Sequence, residues 1–406
     1  MSMITYLIIL LPILYQLASP LPGLSLGELL LIPFMLCRII KQISRSRLKI
    51  KIPKGLVAFY FIPVLTTVFA MINPFFRIED AITVMVRIVF YFLLILLAED
   101  CLNFGKVINT YFVVAFICAL YLYAQVIAHR IIGFDLPIPA NYNRWLMSKM
   151  AITDTAKYYS HFGFRPASLF TEPSYYVDYT MPVIFIILFK KNLDVFSKRL
   201  SSASRIVYAM FFSLPMLLST SSLGVVYLCI AWGLFVFSNC SHLKTPKNMK
   251  AFMVIALAVF TVYVVQSEVF AVTIRRITSG SSIGARFYRG FILYGKTNFF
   301  QKVFGVGLNN IGNFVRYYGI TTVFDEANLN YTVTLTNRLV ATGLIGTIAL
   351  IYFWIAQFIK KSNAGKAMLL AILISFLFAN GEYTFGFPFF FILLNQIDQS
   401  EAANRF

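Results

Sequence analysis

Charged residues are scarce in this chain, at 13% of its 406 residues. Acidic residues are the scarcer kind, with 16 Asp and Glu against 35 Lys and Arg, so the formal net charge is +19. Apolar residues make up 59% of the chain, and its mean hydropathy is +0.77. This composition excludes an ordinary soluble protein, and no segment is long and polar enough to form a nucleic-acid-binding module outside a membrane. The sequence therefore predicts an integral membrane protein.

Cysteine is also rare, and its positions exclude a disulfide-stapled fold. All five cysteines fall within predicted spans or on the predicted cytoplasmic side, with no zinc or redox spacing among them. They are Cys37, Cys101, Cys118, Cys229 and Cys240.

Long apolar segments dominate the rest of the chain. A hydrocarbon core about 30 Å thick needs roughly 17 to 25 apolar helical residues, and fewer where neighbouring helices shield a span. By this measure the chain has about twelve transmembrane helices, and the polar residues 219–222 divide one long stretch into a hairpin of two short helices. The predicted spans are 4–19, 22–40, 55–73, 82–98, 107–129, 174–189, 206–219, 222–238, 251–267, 337–359, 367–380 and 384–396.

Basic residues alternate across this series of spans. Lys and Arg accumulate in short cytoplasmic loops. Of the 35 basic residues, 20 lie in one set of short segments, whereas the short loops on the other side hold only Arg77. The asymmetry predicts that both termini are cytoplasmic. The basic segments are 38–54, 99–106, 190–205, 239–250, 360–366 and the C-terminal tail.

Two long loops, 130–173 and 268–336, then lie on the outer side of a single integral membrane domain, 1–406. Both are rich in aromatic residues, which predicts that they fold on the membrane surface. The second loop carries seven basic residues, and contact with anionic lipid headgroups is the simplest explanation for them. They are Arg275, Arg276, Arg286, Arg289, Lys296, Lys302 and Arg316.

Four ionisable residues fall inside predicted spans, where charge is costly and often marks function: Glu28, Arg87, Asp178 and Arg338. Each lies near the outer end of its span, so the pattern predicts a site that faces outward. The alternative is purely structural, with Glu28 paired to Arg87 and Asp178 to Arg338 to neutralise buried charge.

The sequence GFRPASLFTEPS, at 163–174, lies where the first long loop enters the sixth span. Pro166 and Pro173 restrict the backbone, and Glu172 immediately precedes a predicted helix start. Arg165 and Glu172 are therefore predicted to be held firmly at the membrane surface.

The second loop contains SSIGAR at 281–286 and FGVGLNN at 304–310, on either side of Arg289. Glycines leave backbone N–H groups accessible, and the forked donors of Arg286 and Arg289 suit a diphosphate. Taken alone, the glycine pattern also fits an ordinary turn.

These segments, followed by NLNYTVTLTNRLVATGLIG at 328–346, resemble in kind and order the motifs of O-antigen polymerases (Wzy) and the related O-antigen ligases. Fifteen residues separate Arg289 from Gly305, a spacing similar to one described for a polymerase loop. The resemblance is strongest over about 161–182 and 279–347. The ligases carry a histidine in the second long loop, whereas this chain has none from residue 243 to its end, which favours the polymerases.

The resemblance implies an all-α, GT-C-like fold in the bacterial inner membrane, with a periplasmic active site. The implied reaction transfers a growing glycan from undecaprenyl diphosphate to the terminal sugar of a lipid-linked repeat unit. The implied partners are this lipid-linked oligosaccharide, membrane lipids, a chain-length regulator and a flippase. Guanidinium groups at Arg165, Arg286 and Arg289 would stabilise charge on the leaving diphosphate. Because the outward acids are few and include no Asp-x-Asp pair, we expect no metal and no other cofactor.

The general base must be an outward-facing group within hydrogen-bond reach of the acceptor hydroxyl. The candidates are Glu172, ranked first, then Glu326 and Asp325, with His161 last. The remaining site candidates are Arg87, Asp178, Asn309, Asn330 and Arg338.

Two other functions fit the same pattern of spans. An O-antigen ligase-like glycosyltransferase would share the loops and the lipid-linked donor. A lipid-linked oligosaccharide flippase or another transporter would also have many spans and interior charge. Transporter sites usually lie near the bilayer midplane between repeated halves, and the sequence has no convincing internal repeat.

Overall fold

A computed structural model describes residues 3–17, 19, 24–44, 52–99, 102–137, 163–190, 193–195, 198–242, 283–321, 332–378, 381 and 384–403. The first half of the chain is a series of long apolar helices. Helix α5 continues through a π-helical turn, Ala128–Ile132, that ends at Gly133 in the left-handed conformation. The helices are α1 Met3–Leu14, α2 Leu26–Ser44, α3 Lys54–Ala70, α4 Ile78–Glu99 and α5 Phe104–Ile127.

The second half adds longer helices at both ends of its range and three short helices between them. A two-residue antiparallel pair, β1 Asp194–Val195 with β2 Lys198–Arg199, follows α6. The helices are α6 Pro173–Phe189, α7 Ser202–Leu218, α8 Ser222–His242, α9 Ile283–Gly295, α10 Phe299–Phe304, α11 Ile311–Tyr317, α12 Thr334–Lys360, α13 Asn363–Phe378 and α14 Gly386–Ala403.

The predominantly helical architecture is confirmed, and its many apolar helices are consistent with a membrane protein. Each predicted span in the described ranges coincides with a helix, and the ninth, 251–267, lies outside the described residues. The residues 219–221 separate α7 from α8, as the sequence predicts. Within the described ranges the strand pair β1–β2 is the departure from a purely helical fold. Three helices there are long and apolar enough to cross a membrane: Ile78–Ala98, Phe104–Ile132 and Thr334–Lys360.

The helices pack around an apolar core with an apolar outer surface. Helix α3 packs along α12, α6 contacts α7, α8 and α13, and α4 contacts α14. Large apolar side chains on the outer faces of α3 and α12, such as Leu65 (55% exposed) and Ile348 (62%), are not covered by any element that the structure describes. Such a surface suits lipid rather than water.

The bundle has two ends, and basic side chains make specific contacts at one of them. We call the end where α5 finishes and α6 and α12 begin the loop end. At the opposite end, Arg205 donates to the carbonyl of Ile187 at 2.7 Å, and Lys361 Nζ lies 2.8 Å from Asp398 Oδ2. Basic side chains there satisfy terminal carbonyls of α6 and tie α12 to α14.

Candidate functional site

The segment 163–172 enters the bundle at the loop end and is fixed along α5. Ser168 is fully buried with a positive φ of 57°. Its backbone N–H donates to Gln125 Oε1 at 2.8 Å, and its hydroxyl donates to the carbonyl of Cys118 at 2.6 Å. Farther along, the backbone N–H of Thr171 donates to the side chain of Gln16, which lies just after α1. The sequence prediction of a rigidly held segment is consistent with these contacts.

Glu172 lies where this segment becomes α6. Its backbone is extended, Pro173 occupies the first helical position, and the carboxylate makes no hydrogen bond that caps the helix. The side chain is exposed, and the Ser174 hydroxyl donates to its Oε2 at 3.2 Å. The carboxylate is therefore available at the surface of the loop end.

Arg165 is half-buried in the same segment. Its Nε is shielded from solvent and makes no hydrogen bond to any residue that the structure describes. A buried guanidinium donor without a partner is costly. An anionic ligand at the loop end would satisfy it.

His129 and Asp135 form a pair that the sequence analysis did not identify. His129 Nδ1 lies 2.6 Å from Asp135 Oδ1. The His129 ring stacks on Phe164, with ring centroids 3.7 Å apart and planes 2° apart. The pair is thus adjacent to the Arg165 segment. A histidine six residues before an aspartate, with a glycine between them, was the available signal, but only the π-helical turn brings the two together.

The second predicted loop is described over 283–321, and this part packs on α12. Gly290 of α9 lies so close to α12 that a Cβ there would meet the Thr336 side chain at 2.2 Å. The neighbouring Arg289 is buried, 5% exposed, and this burial lowers the pKa of its guanidinium. Arg286 lies on the same helix, but its side chain lies outside the described part of the structure.

The FGVGLNN sequence docks this loop onto the turn between α3 and α4. Asn310 Oδ1 accepts the backbone N–H of Arg77 at 2.8 Å, and Asn313 donates to Asp80 Oδ2 at 2.7 Å. The side chain of Asn309 donates to the backbone carbonyl of Asp80 at 3.1 Å. These bonds join residues 229 to 233 positions apart, so the asparagines have a clear packing role.

Helix α12 is broken at Gly343, whose φ of 66° and ψ of −165° are not helical. The backbone after α10 fits into this break. Val306 N–H donates to the carbonyl of Val340 at 3.0 Å, and Gly307 N–H donates to that of Ala341 at 2.9 Å. Carbonyls freed by the break are therefore satisfied by the second loop, as a helix interrupted within a membrane requires.

The charged residues predicted inside the spans have specific partners. Glu28 is fully buried, accepts from Tyr91 OH at 2.5 Å and lies 3.5 Å from Arg87 Nε, which confirms the proposed Glu28–Arg87 pair. The other proposed pair is replaced by separate contacts. Asp178 accepts from Tyr227 OH at 2.8 Å, on α8.

Arg338 is fully buried near the start of α12. Its Nη2 donates to the carbonyl of Phe59 at 3.1 Å, and its guanidinium carbon lies 4.8 Å from the centroid of the Phe59 ring. Both contacts stabilise a buried cation.

Aromatic rings connect these charged groups. Arg87 lies over Tyr15 at 5.9 Å, and Tyr15 lies 4.5 Å from Phe385, measured between ring centroids. Phe387, two positions after Phe385, stacks on Phe59 with ring centroids 4.4 Å apart. Phe59 in turn contacts Arg338. Aromatic contacts at the start of α14 therefore connect Arg87 of α4 with Arg338 of α12.

Four predicted site residues lie outside the described residues: His161, Asp325, Glu326 and Asn330. No protein-family model matches the chain, and a search of curated proteins finds no relative. The candidate site is therefore defined by its own residues: the Arg165 segment with the adjacent His129–Asp135 pair, and, on α9 against α12, Arg289.

Proposed function

We propose that the protein is a polysaccharide polymerase of the bacterial inner membrane, with about twelve spans, a GT-C-like fold and its loop end facing the periplasm. It transfers a growing glycan from undecaprenyl diphosphate to the terminal sugar of a second lipid-linked repeat unit. The resemblance to O-antigen polymerases motivates the proposal. Basic residues at the opposite end, including Arg205 and Lys361, support a cytoplasmic location for that end.

The observation that carries the proposal is the setting of Arg165. Its segment is fixed to α5 and to Gln16 after α1, yet its Nε has no hydrogen-bond partner in the described structure. A diphosphate leaving group develops negative charge as the glycosidic bond breaks. A guanidinium already fixed in place stabilises that charge more in the transition state than in the ground state, which lowers the barrier.

Arg289, and Arg286 on the same helix, provide the second part of the proposed diphosphate site. Arg289 is buried on a helix that contacts α12 without room for a side chain at Gly290. The helix that carries Arg289 is therefore held closely against α12. Glu172, exposed beside Ser174, is available to hydrogen-bond hydroxyl groups of the acceptor sugar.

Lysine substitution separates diphosphate recognition from a generally basic surface. We expect Arg165→Lys and Arg289→Lys each to lower glycan extension by roughly 10- to 100-fold, because an ammonium loses the forked geometry and about 1.5–3 kcal/mol of charge-assisted hydrogen bonding. Arg286→Lys is expected to behave similarly. The measurement is the length of the glycan, resolved on gels. The glycan comes from host cells that lack the wild-type protein and express each variant at matched levels.

Arg316→Lys is the matched control, because Arg316 belongs to the same loop but is exposed, and its Nη1 lies 3.5 Å from Asn313 Oδ1. This variant should produce glycan of normal length. Normal chain length in Arg165→Lys, Arg286→Lys and Arg289→Lys together would contradict the arginine-based mechanism.

A flippase is the second candidate, and the break in α12 is the observation that favours it. Transporters often place substrates at discontinuous helices, and a fully buried arginine, Arg338, lies five residues before Gly343. In this structure the break is filled by the backbone of Val306 and Gly307, which gives it a packing explanation. We therefore rank the flippase below the polymerase.

A further inference from the structure

The His129–Asp135 pair has the geometry of an oriented base. The π-helical turn after α5 and the left-handed Gly133 reverse the chain, and Phe134 N–H donates to the carbonyl of Ala128 at 3.0 Å. This reversal brings Asp135 Oδ1 to 2.6 Å from His129 Nδ1. The two side chains are 35% and 31% exposed, so the pair is neither fully solvated nor sealed from a ligand.

The chemistry of the pair fixes the imidazole tautomer. An ionised carboxylate only accepts hydrogen bonds, so a neutral His129 bonded to Asp135 carries its proton on Nδ1 and its lone pair on Nε2. Asp135 also holds the ring in one orientation and stabilises the imidazolium that forms when Nε2 takes a proton.

The position of the pair links it to the proposed diphosphate site. The His129 ring lies flat on Phe164, and Phe164 directly precedes Arg165. The other carboxylate in this region, Glu172, is exposed and is oriented through the rotatable hydroxyl of Ser174. Of these groups, His129 is the one whose ring orientation is held by both a carboxylate and a stacked ring.

We propose that His129, oriented by Asp135, is the general base of the glycosyl transfer, an inference that rests on the function proposed above. The acceptor hydroxyl gives its proton to His129 Nε2 while its oxygen bonds to the anomeric carbon of the donor glycan. The bond from that carbon to the diphosphate oxygen breaks, and undecaprenyl diphosphate leaves with the electron pair. His129 then returns its proton to the leaving diphosphate or to water.

The test uses purified full-length protein in liposomes, with undecaprenyl diphosphate-linked oligosaccharide extracted from host cells that lack this protein. Removing a general base commonly costs about 10²- to 10⁴-fold in rate, so we expect His129→Gln to lower kcat within that range, with KM changed only a few-fold. Asp135→Asn should also lower kcat, because an amide no longer favours the reactive tautomer. Added imidazole should partly restore His129→Ala.

Glu172→Gln and Arg130→Gln are the matched comparisons. Arg130 is the exposed neighbour of His129, and its replacement should leave kcat unchanged. Loss of activity in Glu172→Gln with normal kcat in His129→Gln would overturn the assignment. A merely structural pair would lower the melting temperature and leave kcat intact, which would overturn it as well. If His129→Gln does not fold, the other two variants decide. A lowered kcat in Asp135→Asn and partial rescue of His129→Ala by imidazole would support the assignment, and a normal kcat with no rescue would overturn it.

The wild-type reaction separates this inference from the proposed function. Extension by the wild type with undiminished kcat in both His129→Gln and Asp135→Asn defeats the inference alone. No extension by the wild type defeats the proposed function and the inference with it.

Discussion

Replacing Gly305 or Gly343 with alanine is expected to prevent most of the protein from folding. The two glycines lie at the crossing of the second loop with the break in α12. A Cβ at Gly305 would lie 2.2 Å from the carbonyl oxygen of Ala341, and one at Gly343 would lie 2.3 Å from that of Val303. Both obstacles are backbone atoms, which cannot rotate away.

The backbone conformation of these glycines adds to the steric cost. Their φ values are 83° and 66°, with ψ near 180°, a region populated almost only by glycine. Conformational strain of this kind costs about 1–3 kcal/mol by itself, before any clash. We expect a large fall in the yield of monodisperse protein and in its melting temperature in detergent.

Gly233→Ala provides the matched control for this prediction. Gly233 lies within α8, and a Cβ there would have no neighbour within 4 Å among the described residues. Alanine in a helix is favoured over glycine by about 0.5–1 kcal/mol, so this variant should be at least as stable as the wild type. Wild-type stability of both Gly305→Ala and Gly343→Ala would contradict the described crossing.

Removing Arg87 from the buried pair is expected to destabilise the loop end strongly. Glu28 is fully buried, accepts from the Ser25 backbone N–H at 2.7 Å and from Tyr91, and lies 3.5 Å from Arg87. Arg87→Met leaves the carboxylate without its cation, and losing one partner of a buried ion pair costs about 3–5 kcal/mol. The melting temperature in detergent should therefore fall well below that of the wild type.

The double variant Glu28→Gln with Arg87→Met isolates the electrostatic part of this loss. It removes both charges and keeps an amide oxygen to accept from Tyr91, so it should be more stable than Arg87→Met alone. If the double variant loses as much stability as Glu28→Gln and Arg87→Met lose in sum, the two residues act independently. That result would contradict the pairing.

The sequence was sufficient to place the long apolar helices, because apolar runs of membrane length are hard to satisfy in any other way, but not α9, α10 and α11 within the second loop. It also identified the Glu28–Arg87 pair, because a buried charge needs a partner and these two charges lie near the same predicted depth. The segment 163–174 was recognisable because Pro166 and Pro173 limit its backbone. These features depend on the local sequence, so apolar runs, charges within them and prolines indicate them directly.

Contacts set by backbone geometry were not predictable in the same way. The break at Gly343 depends on one residue adopting a positive φ inside an otherwise helical pattern. The sequence assigned the glycines of FGVGLNN to an anion, whereas Gly305 accommodates the close approach of α12. Asp178 and Arg338 were proposed as a pair, but Tyr227 and Phe59 lie nearer to them in the folded chain.

The His129–Asp135 pair shows the same limit at the candidate site. The two lie six positions apart, which on a regular helix would place them on different faces. The π-helical turn and Gly133 change that relation. The ranking of Glu172 as base stays a prediction, as do the roles of Glu326, Asp325, His161 and Asn330.

Extension of lipid-linked repeat units by the reconstituted wild-type protein tests the central claim most directly. Purified protein in liposomes would receive the undecaprenyl diphosphate-linked oligosaccharide of the host, with a chelator present and no nucleotide added. The account predicts a ladder of glycans that differ by one repeat unit, with undecaprenyl diphosphate released in step with each addition. Movement of intact lipid-linked oligosaccharide across the bilayer without any extension would contradict it and identify a flippase.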